Sequence, residues 1–273
     1  LLRGLYRKYK SKIIVITNSS NKAKLILKKE FSIKKIEYIN FQREKQIKNS
    51  FLFLKKINDF KADICVLTAP SRRLIIPLLM SNVKKKVFFK KDKVRDLSKY
   101  IISQSIKIFR DINFIKKYDL KFSKTKIKGK KVFLSIDSHH NQNNWREDYF
   151  IKFTQKLLVK KKIKKIYINF SPNKKTEFQK ILKKFSKDKK IHFTCGEKFE
   201  KIITIINNCS FIVGNESGPA CLGASMGKNV FSIYDPKHTP NLSSKIINKK
   251  ITYFNSKKLN VDSIIKKLVS KIN

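Results

Sequence analysis

The stretch Phe211-Ile-Val-Gly-Asn-Glu-Ser-Gly-Pro-Ala-Cys-Leu-Gly-Ala-Ser-Met-Gly-Lys-Asn-Val-Phe-Ser-Ile-Tyr-Asp-Pro236 decides the fold. An apolar run ends at Val213 and a polar turn, Gly214 to Gly218, follows. Pro219 then suits the first position of a helix, where its φ is already set and its missing N–H has no helical partner to lose. Small residues at Ala220, Gly223, Ala224 and Ser225 let a helix of about Pro219–Met226 pack close to its neighbours, and Gly227 ends it. A second apolar run, Val230–Tyr234, begins at once. Strand, turn, helix and strand in this order are one step of a parallel sheet with helices on its faces.

The same alternation runs outward in both directions. Upstream of it, strands are expected at Ile13–Thr17, Ile36–Ile39, Asp63–Thr68 and Lys86–Phe89, then at Val132–Ile136, Lys165–Asn169 and Ile191–Phe193. Helical patterns fill the gaps, for example Glu44–Asn58, Val94–Arg110, Glu147–Val159, Lys174–Phe185 and Phe199–Asn207. A short strand near Ile251–Phe254 and a helix over Val261–Ile272 close the chain. A Lys-rich stretch, Tyr118–Lys131, breaks the pattern and serves as a boundary. The expected organisation is an N-terminal domain over 1–120, a linker over 121–131 and a C-terminal domain over 132–273. The fold class is α/β, two Rossmann-like domains facing a cleft, with ligands bound beyond the carboxyl ends of the strands. The opening, Leu1 to Lys10, reads as the end of an amphipathic helix running straight into a strand. A domain rarely begins there, so the expectation is an N-terminal domain lacking its first strand and loop.

With 273 residues the chain is long enough for two cores, and no apolar run approaches the ~20 residues of a membrane span. The formal charge of +46 has two readings. A basic surface could recruit a polyanion or an anionic membrane, or AT-rich codons could have enriched Lys, Asn, Ile and Phe together. The lysines are spread along the chain rather than gathered in a stripe, which favours the compositional reading. No zinc-finger or RNP-like pattern points to specific nucleic-acid binding. Cys65, Cys195, Cys209 and Cys221 form no Cys-x-x-Cys pair and no zinc-like cluster, so reduced thiols, a cytoplasmic location and no bound metal are expected.

Three segments carry chemistry. The turn Asn215-Glu216-Ser217-Gly218-Pro219 at a helix N-terminus offers free backbone N–H groups, an anion site suited to a phosphate or diphosphate; an ordinary capped strand–turn–helix would read the same way. Glu216 would repel phosphate but could accept from sugar or ribose hydroxyls. The second segment, Val132–Phe153, has a polar loop after its strand, with Ser138, His139, Asn143 and Arg146 as candidates to face a ligand. Trp145 alternatively anchors the helix that follows. In the third, Lys165–Glu177, Glu177 is a candidate for a nucleotide contact, although a Glu near a helix start is favourable anyway.

The first segment resembles the signature of the heptosyltransferase family, glycosyltransferase family nine, matching it at Asn215, Ser217, Gly218, Pro219, Leu222, Ala224, Gly227 and Pro236. It departs at Glu216 for Asp, Cys221 for His, Asn229 for Pro and Asp235 for Gly. Trp145 and Phe150 fit the family's Lys-x-Trp-Pro-x-x-x-Phe frame, with Asn143 at its Lys and Arg146 at its Pro. The resemblance implies a metal-independent, inverting transferase that needs no cofactor. It would move a sugar, a heptose by family precedent, from a nucleotide diphosphate donor such as ADP-heptose. The implied acceptor is a lipid A-core or other glycan, reached at the inner face of the inner membrane. The family's base lies in the opening strand–loop, which this numbering would place before Leu1, so no catalytic residue is assigned and the chain as given is expected not to transfer sugar. The competing readings are a sugar-nucleotide-binding relative without catalysis, prompted by Asn143 and Cys221, and a basic nucleic-acid-binding protein.

Overall fold

The computed structural model describes residues 2–18, 27, 32–39, 46–68, 71–89, 130–137, 145–234, 251–255 and 260–270. The chain divides into two compact units, Leu1–Ile115 and Lys116–Asn273. The expected helix Val94–Arg110 and most of the expected linker lie outside the described residues.

In the first unit, helix α1 (Leu2–Tyr9) leads into strand β1 (Ile13–Asn18), followed by β2 (Ile33–Ile39), α2 (Gln46–Asp59), β3 (Ile64–Leu67), α3 (Arg72–Met80) and β4 (Lys85–Phe88). Among the described residues the strands form two parallel pairs, β1–β2 and β3–β4. Ile39, Phe53, Ile57, Leu67, Leu78 and Val83 share one core, so α2 packs with strands of both pairs. Helix α3 contains Pro77. A proline inside a helix lacks the N–H that would bond the carbonyl four residues back. Here that carbonyl belongs to Arg73, and the Ser50 hydroxyl of α2 donates to it at 3.1 Å. The helix therefore continues through a residue that usually ends one.

Among the described residues the second unit forms one six-stranded, all-parallel sheet flanked by helices. Its elements are β5 (Lys130–Ser135), α4 (Glu147–Leu158), β6 (Ile163–Asn169), α5 (Gln179–Phe185), β7 (Ile191–Phe193), α6 (Phe199–Asn208), β8 (Phe211–Asn215), α7 (Gly218–Ser225), β9 (Asn229–Tyr234), β10 (Ile251–Asn255) and α8 (Val261–Val269). The strand order is β10-β9-β8-β5-β6-β7. Side chains alternate across a strand. Val132, Leu134, Phe211, Val213, Phe231 and Ile233 therefore point to one face, where they join Phe150, Phe153 and Leu157 of α4, Ile181 and Phe185 of α5, and Ile264 and Leu268 of α8. Ile212 points the other way. The α-hydrogen of Gly223 in α7 faces it so closely that a Cβ there would lie 1.9 Å from Ile212 Cδ1, with Ile206 of α6 alongside. The stripe of small residues in α7 thus serves close helix–strand packing.

The helix boundaries have local causes. Glu147 and Asp148 stand in the first turn of α4 and Lys156 in its last, each favourable to the helix dipole. Asn260 caps α8, its side chain accepting from the Ser263 N–H at 2.7 Å.

Several boundaries differ from the sequence expectation. Lys130 and Lys131, placed in the linker by the sequence, open β5, and the Lys130 N–H donates to Lys162 O at 3.1 Å. The helix expected over Lys174–Phe185 begins only at Gln179, because a 3-10 turn at Pro172–Lys174 intervenes. Its start is held from elsewhere: Glu147 Oε1 accepts from the Ile181 N–H at 2.8 Å. Strand β8 runs two residues past Val213, to Asn215.

Candidate functional site

In a sheet of this order the chain leaves β5 toward β6 and β7, then returns to the other side of β5 with β8. The carboxyl ends of β5 and β8 therefore flank the point where the winding reverses, the place where open parallel sheets bind ligands. Strand β8 is buried along its whole length and delivers the turn Glu216-Ser217 to this point. Close approach of the two strands requires glycine: a Cβ on Gly214 would lie 2.0 Å from the carbonyl oxygen of Ser135.

Helix α7 starts here, with Ser217 at its N-cap position and Pro219 in its first turn. The Ser217 hydroxyl makes no cap bond; it lies 2.8 Å from the hydroxyl of Ser135 at the end of β5. The Ser217 carbonyl accepts from the Cys221 N–H at 3.0 Å. The N–H groups of Gly218 and Ala220 precede that bond and have no acceptor within the helix. They give the site its partial positive charge, and Gly218 is exposed.

Asn215 is 1% exposed. Its Nδ2 donates to Ile136 O at 2.7 Å and its Oδ1 accepts from the Trp145 N–H at 2.9 Å. Its amide is thereby committed to backbone, and it clasps both ends of the loop after β5 to the end of β8. Arg146 follows Trp145 directly, so the same bond holds the backbone next to this exposed residue against the end of β8. The guanidinium lies 5.7 Å from the Tyr149 ring centroid. Trp145 itself is 2% exposed, stacked on Tyr149 and edge-on to Phe150 and Phe153. Of the two sequence readings of Trp145, its side chain takes the anchoring one.

Asn215, Glu216, Ser217, Gly218, Pro219 and Arg146 are therefore brought to the β5/β8 edge. Ser138, His139 and Asn143 lie outside the described residues. Glu177 is exposed, in the segment between β6 and α5, and its N–H closes a turn on Lys174 O at 3.0 Å. Sequence reasoning did not single out Ser135 or Asp137. Asp137, 7% exposed, accepts from the Ser171 N–H at 2.8 Å and ties the ends of β5 and β6 together. The available signal was a polar residue and a carboxylate breaking an apolar strand at its carboxyl end. Among the described residues no three His, Cys, Asp or Glu side chains converge as metal ligands.

Burial, and then the nearby Glu216 carboxylate, push the Cys221 thiol above its ordinary range. Burial pushes Cys65 and Cys209 up to about 11 and about 12. Iodoacetamide at pH 8 should therefore modify Cys221 at least roughly tenfold more slowly in the folded chain than in urea, since only the thiolate reacts. Peptide mapping reads this out, and equal rates in the two states would show that the thiol is accessible and ionised.

A parallel sheet with an anion-ready helix at its winding reversal is the arrangement of a Rossmann-like nucleotide-binding domain. The sequence model of glycosyltransferase family 9 (heptosyltransferase) matches residues 100–269, more than half the chain, and the protein belongs to that family. Solved structures that share the fold include the following three. The family 9 glycosyltransferase of Veillonella parvula superposes with a TM-score of 0.83 at 12% identity, over 99% of this chain and 91% of that one. The ADP-heptose LPS heptosyltransferase II of E. coli gives 0.74 at 11% identity, over 100% and 93%. The E. coli heptosyltransferase WaaC, solved with ADP, gives 0.75 at 10% identity, over 100% and 94%. At these identities the structures establish the fold alone. No curated protein sequence matches the chain. Among the described residues no helix is long and apolar enough to cross a membrane.

Proposed function

We propose that the protein transfers a heptose from a nucleotide diphosphate donor to a lipopolysaccharide core acceptor, with inversion and without a metal. The second unit is read as the donor side and the first as the acceptor side. The observation that carries this reading is the pair of N–H groups at the start of α7 beside the Ser135–Ser217 hydroxyl pair, with Arg146 held to the same edge through Asn215. In this reading the donor diphosphate lies on Gly218 and Ala220, and Arg146 neutralises charge that grows on it as the sugar leaves. Glu216, half-buried beside the turn, accepts from ribose or sugar hydroxyls, and Asn215 positions rather than contacts. In the same reading Ser138, His139 and Asn143 are further donor contacts by family resemblance, and Glu177 is a nucleotide contact from the β6 side. WaaC was solved with ADP and with ADP-2-deoxy-2-fluoro heptose, which supports ADP as the probe to use.

Titration calorimetry with ADP tests the site. Arg146→Ala removes one charge-assisted contact and should weaken binding by ~1.5–3 kcal/mol, roughly 10- to 150-fold. An unchanged affinity would remove Arg146 from the site, and no ADP binding by the unaltered chain would remove the donor reading itself.

A further inference from the structure

Two hydroxyls at the winding reversal share one hydrogen bond, and burial decides its direction. Ser135 is fully buried at the end of β5, and the Ser217 hydroxyl lies 2.8 Å from its own. Each hydroxyl carries one proton and two acceptor lone pairs. Among the described residues the Ser135 hydroxyl has Ser217 as its one partner. A buried proton left unspent costs the desolvation of its group, so Ser135 donates and Ser217 accepts. The proton of Ser217 is then left over, on a residue that is only half-buried.

The same bond changes what Ser217 does for its helix. Its backbone, at φ -152° and ψ 165°, has the extended geometry from which an N-cap serine accepts a first-turn N–H, yet no cap bond is made. Pro219 has no N–H to offer, which leaves Ala220 as the partner a cap would take. Ser135 holds the Ser217 oxygen away from that role, and the Ala220 N–H stays open. We propose that Ser135 is a positioning residue for the diphosphate of the nucleotide donor. It donates to Ser217, withholds Ser217 from capping α7 and turns the Ser217 proton toward the phosphate. The bound anion then meets the Ser217 hydroxyl together with the N–H groups of Gly218 and Ala220. An ordinary serine cap in this turn would meet it with an occupied N–H and with lone pairs, which repel a phosphate oxygen. Ser135 reaches no ligand itself and acts through Ser217, and this role rests on the donor reading given above.

Titration calorimetry with ADP on both single variants and the double variant tests this role. Ser217→Ala removes one charge-assisted donor but leaves the Ala220 N–H open, and should weaken ADP binding roughly tenfold. Ser135→Ala frees Ser217 to cap, which withdraws the Ser217 proton and the Ala220 N–H together. Binding should weaken by a further ~5-fold, the strength of an ordinary cap. The double variant has no hydroxyl left to cap with, so it should bind as Ser217→Ala does and more tightly than Ser135→Ala. A serine that merely packs would give losses that multiply in the double variant. The urea midpoint of Ser135→Ala, followed by Trp145 fluorescence, should stay near that of the unaltered chain, since the freed Ser217 oxygen takes the Ala220 N–H. Three results would overturn the role of Ser135 and leave the donor reading standing: unchanged ADP affinity in Ser135→Ala, a urea midpoint that falls with the affinity, or a double variant weaker than both single ones. No ADP binding by the unaltered chain would overturn both.

Discussion

Gly214→Ala is expected to destabilise the second unit by about 3 kcal/mol or more, among the larger effects of any single substitution. The added Cβ would lie 2.0 Å from Ser135 O and 2.8 Å from Ser135 C. Both are backbone atoms of the neighbouring strand, so no side-chain rotation relieves the overlap and β5 and β8 must separate. These are central strands of the six-stranded sheet, and their separation also breaks the Ser135–Ser217 contact at the proposed donor site. Trp145 fluorescence follows this unit alone, because it is the only tryptophan in the chain. At ~2–4 °C per kcal/mol for a unit of this size, the midpoint should fall by about 6–12 °C. A variant melting with the unaltered protein would show that the strands are not packed as described. ADP affinity should fall in the same variant at temperatures where it remains folded.

Asn215→Ala should cost roughly 2–5 kcal/mol and abolish measurable ADP binding. It leaves two buried backbone groups without partners, the Ile136 carbonyl and the Trp145 N–H, each at about 1–3 kcal/mol. It also releases the loop that carries Arg146. Asn215→Asp separates the two contacts. Its carboxylate still accepts from the Trp145 N–H but, when ionised, faces the Ile136 carbonyl with no proton to donate. Burial and that carbonyl raise its pKa above the ordinary ~3.9 of an aspartate. A carboxyl whose folded pKa is raised contributes most below its unfolded pKa, and the contribution is lost as pH rises through the folded value. The deficit of Asn215→Asp relative to the unaltered protein should thus shrink as pH falls toward 4, while that of Asn215→Ala stays flat. Parallel deficits across pH, followed by Trp145 fluorescence in urea, would show that the Ile136 contact carries little.

The alternation of strand and helix was legible because burial leaves a period in the sequence. Val132–Ile136 and Phe211–Val213 read as strands since their sheet is covered on both faces, and Phe150, Phe153 and Leu157 recur at helical spacing on α4. The boundaries that shifted did so where a distant group intervenes. Gln179 replaces Lys174 as a helix start because Glu147, 34 residues away, caps Ile181. Helix α3 passes through Pro77 because Ser50, 23 residues before Arg73, supplies the donor that proline lacks.

At the candidate site the division is the same. Gly218 and Pro219 announce a helix N-terminus by themselves, since their backbone preferences act within a turn, and the anion-binding character follows from that terminus alone. The roles of Asn215, Ser135 and Asp137 were not readable in this way. Asn215 looked like a residue that meets a ligand; in the fold its amide clasps a loop 70 residues earlier, and Ser135 meets Ser217 across 82 residues. Which polar groups face a ligand and which are consumed in holding the backbone depends on where strands β5 and β8 come together. Hydrogen bonds act over about 3 Å of space, and spacing along the chain records nothing of pairs brought within that distance by the winding of the sheet.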